Sequence, residues 1–274
     1  MWVGRGPPAH STSVEKVFTC AVFVPSAPLL VPELAGPYAD DTAAVRAASV
    51  TEARALAALA TDWVVIGPAD AAMTASGPAD TPRCSVVDES ATGSFARFGV
   101  DVAVTLDSER ALPSDPRAPS DPQARLPLSM LIGAWLREQA GARRATGVVI
   151  DPMASAEECA HIGARIAAAL AQRDHPVGVL VVGDGATALS AKAPGGGVRE
   201  SAMMLQNRID EALGGPDLQA IADLGPAECA DEGMCGRVAW QAAAAMVADI
   251  GVHAETRYAD APFGVGYLVA RWMA

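Results

Sequence analysis

The chain has 274 residues, of which 51% are hydrophobic and 19% charged, and its 20 Lys and Arg against 32 Asp and Glu give a formal net charge of −12. That balance excludes a broad basic surface of the kind that holds nucleic acid or an anionic membrane. No apolar run reaches the roughly 18 residues a membrane span needs, so a soluble, cytoplasmic protein with a substantial core is expected.

Residues 1–16 (MWVGRGPPAHSTSVEK) hold no apolar signal region and read as a disordered N-terminal tail, with a single domain over residues 17–274. The cysteines Cys20, Cys84, Cys159, Cys229 and Cys235 form no C-x-x-C pair, and their odd number suits reduced thiols better than a disulfide framework.

Residues 16–24 (KVFTCAVFV) read as a buried strand that breaks at Pro25, Pro28 and Pro32, where a ladder cannot continue. An Ala-rich helix follows over residues 40–60, with Asp40 or Asp41 as N-cap, then a short strand at 63–66 (WVVI) ended by Gly67 and Pro68. Residues 71–87 are polar and irregular, and residues 94–106 hold one or two strands, including FARFG. The proline-rich repeat at 113–124 excludes a helix and reads as an extended loop.

Further helices are expected at 126–139, 155–172, 200–212, 217–224 and 237–250, and strands at 147–150 and 177–182. Ser155 followed by Glu158 is a capping-box pattern. The end of the chain, 258–271, reads as a turn and a last strand. Strands and helices alternate throughout with no linker between cores, which implies an α/β fold with a mostly parallel central sheet flanked by helices.

In such folds ligand groups gather where strands leave the sheet at their carboxyl ends. The stretch Pro25-Ser26-Ala27-Pro28-Leu29-Leu30-Val31-Pro32-Glu33 lies at one such exit. It resembles the first motif of the class III extradiol ring-cleaving dioxygenases, in the branch that includes the catalytic β-subunits and the Memo-type proteins, where the position of Ser26 is an iron-binding His. Other stretches resemble the family in the same order. Trp63 to Ala69 matches a strand followed by Ser-Pro-His, with Ala69 in place of the second iron-binding His. Leu126-Pro127-Leu128 matches a Val-Pro-Leu helix start. Val182 to Thr187 matches Ser-Gly-Asp-Leu-Ser-His, with Thr187 in place of an acid/base His. Gly233 to Gly236 matches a Glu-Cys-Gly segment, with Met234 where the ligand Glu stands, and Ala261 to Tyr267 matches the Pro-Phe-Gly-Val-Gly-Tyr ending.

The resemblance spans about Val17 to Ala270 and implies the class III extradiol dioxygenase-like fold. It also implies lost chemistry. Ring cleavage needs ferrous iron on two His and one carboxylate, with an imidazole nearby to move protons. Ser26, Ala69, Met234 and Thr187 supply none of these. No two of His10, His161, His175 and His253 stand at a metal-binding spacing, so no cofactor, and in particular no iron, is expected.

Carboxylates remain around the expected cleft: Glu33, Asp70, Asp184 and Glu232. Asp70 and Asp184 read first as caps of turns or helix starts. The preferred expectation is a non-catalytic homologue that keeps the cleft for a small molecule or a partner. The alternative is an enzyme rebuilt from Ser26, Asp70, Asp184 and Thr187, with or without a hard cation such as magnesium. A retained ring-cleaving dioxygenase ranks third. A homodimer is a candidate assembly on the family's precedent, and no nucleic-acid or membrane partner is expected.

Overall fold

The computed structural model describes residues 17–70, 83–110 and 125–274. The expected tail at 1–16, His10, residues 71–82 of the irregular stretch and the loop 113–123 lie outside the described residues.

One seven-stranded sheet runs through the molecule. Its strands are β1 (Phe18–Val24), β2 (Asp62–Pro68), β3 (Cys84–Val87), β6 (Arg144–Ile150), β7 (Val177–Val182), β8 (His253–Asp260) and β9 (Tyr267–Met273), in the order β3-β6-β2-β7-β1-β9-β8. The four central strands β6, β2, β7 and β1 are parallel, while β3, β9 and β8 at the flanks run antiparallel to their neighbours. The mostly parallel sheet is therefore a parallel centre with antiparallel margins. A separate two-stranded ribbon pairs β4 (Thr92–Ser94) with β5 (Ala103–Thr105).

Central strands covered on both faces read as continuous apolar runs, and all of β7, VGVLVV, is buried. Its Val177, Val179 and Val181 enter one core and its Leu180 and Val182 the other. In β1 the register against β7 slips between Phe18 and Ala21. The extra residue there puts Phe18 on the same side as Ala21 and Phe23, while Cys20, Val22 and Val24 face the opposite core.

Helices α2 (Ala43–Leu59) and α3 (Leu128–Ala140) cover one face through Val45, Leu56, Met130 and Leu131. The other face carries α4 (Ala156–Ala171), α5 (Glu200–Gly214), α6 (Leu218–Ala222) and α8 (Arg237–Met246). Phe23 and Trp272 meet there with ring centroids 4.5 Å apart, and the Trp272 Nε1–H donates to Leu213 O at 2.7 Å. That satisfies the polar handle of a fully buried aromatic.

Several local expectations change. Thr42, not Asp40 or Asp41, precedes α2, and its hydroxyl donates back to Tyr38 O instead of capping the helix. FARFG is not a strand: Ala96–Phe98 form a 3-10 turn closed by Gly99 at φ 107°. Residues 84–87 form the edge strand β3, whose half-covered ends and exposed middle lack a continuous apolar run. β8 went unread because its residues, HAETRYAD, are mostly polar; it is held by pairing with β9. A short α7 (Pro226–Asp231) was likewise unexpected, and α8 ends at Met246, short of Ile250. The Ser155 capping box is present: its Oγ accepts from Glu158 N at 3.1 Å, and Glu158 Oε2 accepts from Ser155 N at 2.7 Å. All five cysteines are free thiols.

Candidate functional site at the carboxyl edge of the sheet

Parallel strands β1, β2 and β7 all end on one edge, and each delivers a polar residue two positions later: Ser26, Asp70 and Asp184. The centre of the group is Asp184. Its Oδ1 accepts the Ser26 backbone N–H at 2.7 Å, and Ser26 is 4% exposed. Part of the Asp184 surface reaches solvent, but dense packing surrounds its carboxyl. Burial pushes this group up to about 7, and the single N–H from Ser26 offsets only part of that.

Two further groups feel its charge. Cys235 follows the turn before α8, and its thiol is pushed up to about 12 by burial and then by the Asp184 charge, with Asp70 adding a smaller share. Tyr267 opens β9, is 5% exposed, and its phenol is raised by burial and then by Asp184. Both groups therefore stay protonated at neutral pH. The Asp184 charge acts on both, while the one hydrogen bond its carboxyl accepts among the described residues comes from Ser26 N.

Glycines make this closeness feasible. A Cβ on Gly183 would sit 2.5 Å from Gly236 Cα, so the β7 exit and the start of α8 approach as bare backbone, with Gly236 N donating to Asp184 O at 3.0 Å. The β9 entry is stitched to the same segment, with Gly185 N to Gly266 O at 2.9 Å and Gly266 N to Ala186 O at 2.8 Å.

Of the other residues read from the sequence, Ala69 lies half-buried at the β2 exit, its N–H held by Ile150 O at 2.8 Å. Asp70 reaches the edge but is engaged. Its Oδ1 accepts Leu128 N at the start of α3 at 2.9 Å, and its Oδ2 lies 2.6 Å from Arg97 Nη2. Thr187 turns away, with its hydroxyl donating to Glu232 O at 3.3 Å. Glu232 is clamped by Ser201 Oγ at 2.6 Å and Arg199 Nε at 2.8 Å, and those partners hold its carboxyl below the usual range. Met234 is 5% exposed and belongs to the apolar core. Glu33 is exposed on α1 (Pro32–Ala35).

The structure thus joins Ser26 to Asp184, sets Asp70 at their margin, and leaves Thr187, Glu232, Met234 and Glu33 outside. Cys235 and Tyr267 were missed by the sequence reading. Both lie in stretches already singled out, 233–236 and 261–267, and the strand parity of β9 places Tyr267 with Val269 on the α2 and α3 side of the sheet. Among the described residues, no group of three or more His, Cys, Asp or Glu is placed to hold a metal ion, and no helix is long and apolar enough to cross a membrane. No protein-family model matches this chain, and neither does any curated protein.

Proposed function

We propose that this chain is a class III extradiol dioxygenase-like protein that has given up iron chemistry and uses the carboxyl edge of its sheet to bind a small organic molecule. The observation that carries the reading is the Asp184 carboxyl, which accepts the Ser26 N–H at 2.7 Å and whose charge raises the Cys235 thiol and the Tyr267 phenol. A carboxyl poised near neutrality can accept or donate a hydrogen bond, and the thiol and phenol add donors. That set suits a ligand bearing hydroxyl or carbonyl oxygens. Ser26 and Ala69 stand where the resemblance puts iron-binding imidazoles, and neither can replace one.

The test is elemental analysis of untagged protein with oxygen uptake on catechol as the probe. The expected result is no stoichiometric iron and no ring cleavage. One equivalent of iron with catechol-dependent oxygen uptake would overturn the reading.

A second reading rests on the same carboxyl. A group titrating to about 7 is matched to general acid/base work at neutral pH. It makes Asp184 the proton carrier of a non-oxidative reaction, with Tyr267 and Cys235 as hydrogen-bond donors to the substrate. Turnover abolished by Asp184→Asn with ligand binding retained would favour this reading over pure binding.

A further inference from the structure

Helix α5 turns Met203, Gln206, Asn207 and Asp210 along one stripe, at the three- and four-residue spacing of a single helical face. Opposite them run Ala259, Asp260 and Ala261 at the end of β8, with Leu189 and Gly266 closing the sides. The space between is a cavity of about 280 Å³, just below the usual range for small-molecule sites.

Its polar wall is built. Gln206 is 7% exposed, its Oε1 accepts Ala186 N at 2.9 Å, and its Nε2 donates to Asp210 Oδ1 at 2.8 Å. Cβ atoms on Gly185 or Gly266 would collide with that amide, so both glycines make room for it. The amide in turn fixes the Asp210 carboxyl at the cavity wall. No cation among the described residues pairs with Asp210, and burial raises it to about 6, so it is ionised at pH 7.5 without a counter-charge. The other titratable group in the lining is Asp260, whose Oδ1 accepts Ala261 N at 2.7 Å.

We infer that this cavity binds a small organic ammonium ligand, its N–H groups donating to Asp210 and Asp260 and its carbon body resting on Leu189, Met203 and Ala261. A bare hard cation fits less well, because it takes six or more oxygen ligands and has no use for an apolar wall. The site uses other carboxylates than Asp184, and although Gly266 and Ala186 N border both neighbourhoods, the Asp210 and Asp184 variants test the two separately.

The probe is benzylammonium, with benzyl alcohol as its neutral match, titrated into the full chain by calorimetry at pH 7.5. Saturable binding of benzylammonium is expected, with benzyl alcohol at least about tenfold weaker. Asp210→Asn is expected to weaken benzylammonium by a similar factor, while Glu211→Gln, an exposed neighbour carrying the same charge change, leaves it as in the parent. Ala259→Phe, which fills the cavity while keeping both carboxylates in the chain, is expected to abolish binding in a folded chain and guards against misfolding of the Asp210 variant. Equal binding of amine and alcohol would overturn the inference. So would parent-like binding by either Asp210→Asn or Ala259→Phe, or no saturable binding of benzylammonium at all.

Discussion

The two ends of the parallel strands treat a buried aspartate in opposite ways. At the amino edge, Asp62 opens β2 and is 7% exposed. Arg143 grips it with two bonds, Nε to Oδ1 at 2.9 Å and Nη2 to Oδ2 at 2.7 Å, and Arg144 Nε adds a third at 3.0 Å. His175 Nε2 lies 3.2 Å from the same Oδ2. Burial works against the Asp62 charge, but the Arg143 and Arg144 bonds prevail and hold the carboxyl below its ordinary range. At the carboxyl edge, Asp184 has one amide N–H and no cation among the described residues, and it rises to about 7.

The first edge compensates its charge completely, as a structural ion cluster does. The second leaves a carboxyl uncompensated at a strand exit, where ligands enter α/β sheets. Uncompensated burial costs stability, and it persists where the group has another task.

The pH response separates the two. A raised carboxyl favours the folded state while it stays protonated, and that advantage is lost as pH rises through about 7. A lowered carboxyl favours the folded state once ionised, and that advantage is lost as pH falls through its folded value.

The largest expected effect is at Asp184. Asp184→Asn keeps the acceptor for Ser26 N–H and removes the ionisation, so the variant should exceed the parent in denaturant stability at pH 8 by up to roughly 4 kcal/mol and match it near pH 4. At the opposite edge, Asp62→Asn should lower stability by about 2 kcal/mol at pH 7, less than for a fully buried pair because Arg143 and Arg144 can turn to solvent. That deficit should shrink toward acid pH, the reverse of the Asp184 pattern.

Glu232→Gln sharpens the contrast from a third position. Glu232 is clamped by Ser201 and Arg199, so its neutral variant should cost about 1 kcal/mol, read as a lower melting temperature. It should leave the Asp184 titration unchanged. The smallest effect belongs to Glu33→Gln: the residue is exposed, and stability should stay within about 0.5 kcal/mol of the parent.

Much of the parallel centre was legible because its strands are buried on both faces and carry continuous apolar runs, as 177–182 does. The margins were not. β8 mixes half-covered and exposed residues, most of them polar, without a regular alternation, so its strand character comes from pairing with β9, a tertiary effect that local composition does not record. The same division runs through the site. Ser26, Asp70 and Asp184 stood out because strand exits are marked by Pro and Gly. Asp70 then found its partners in α3 and Arg97, nearly thirty or more positions away in the chain, which no local pattern announces. Cys235 and Tyr267 come within influence of the Asp184 charge through the Gly183–Gly236 approach and the pairing of β9 with β1.

The most direct measurement is the carbon-detected NMR titration of the Asp184 side-chain carboxyl in the full chain, assigned by its loss in Asp184→Asn. A midpoint near 7 is expected. A midpoint below about 5, in the ordinary range for a solvated or paired carboxylate, would contradict the account, because Asp184 would then be compensated just as Asp62 is.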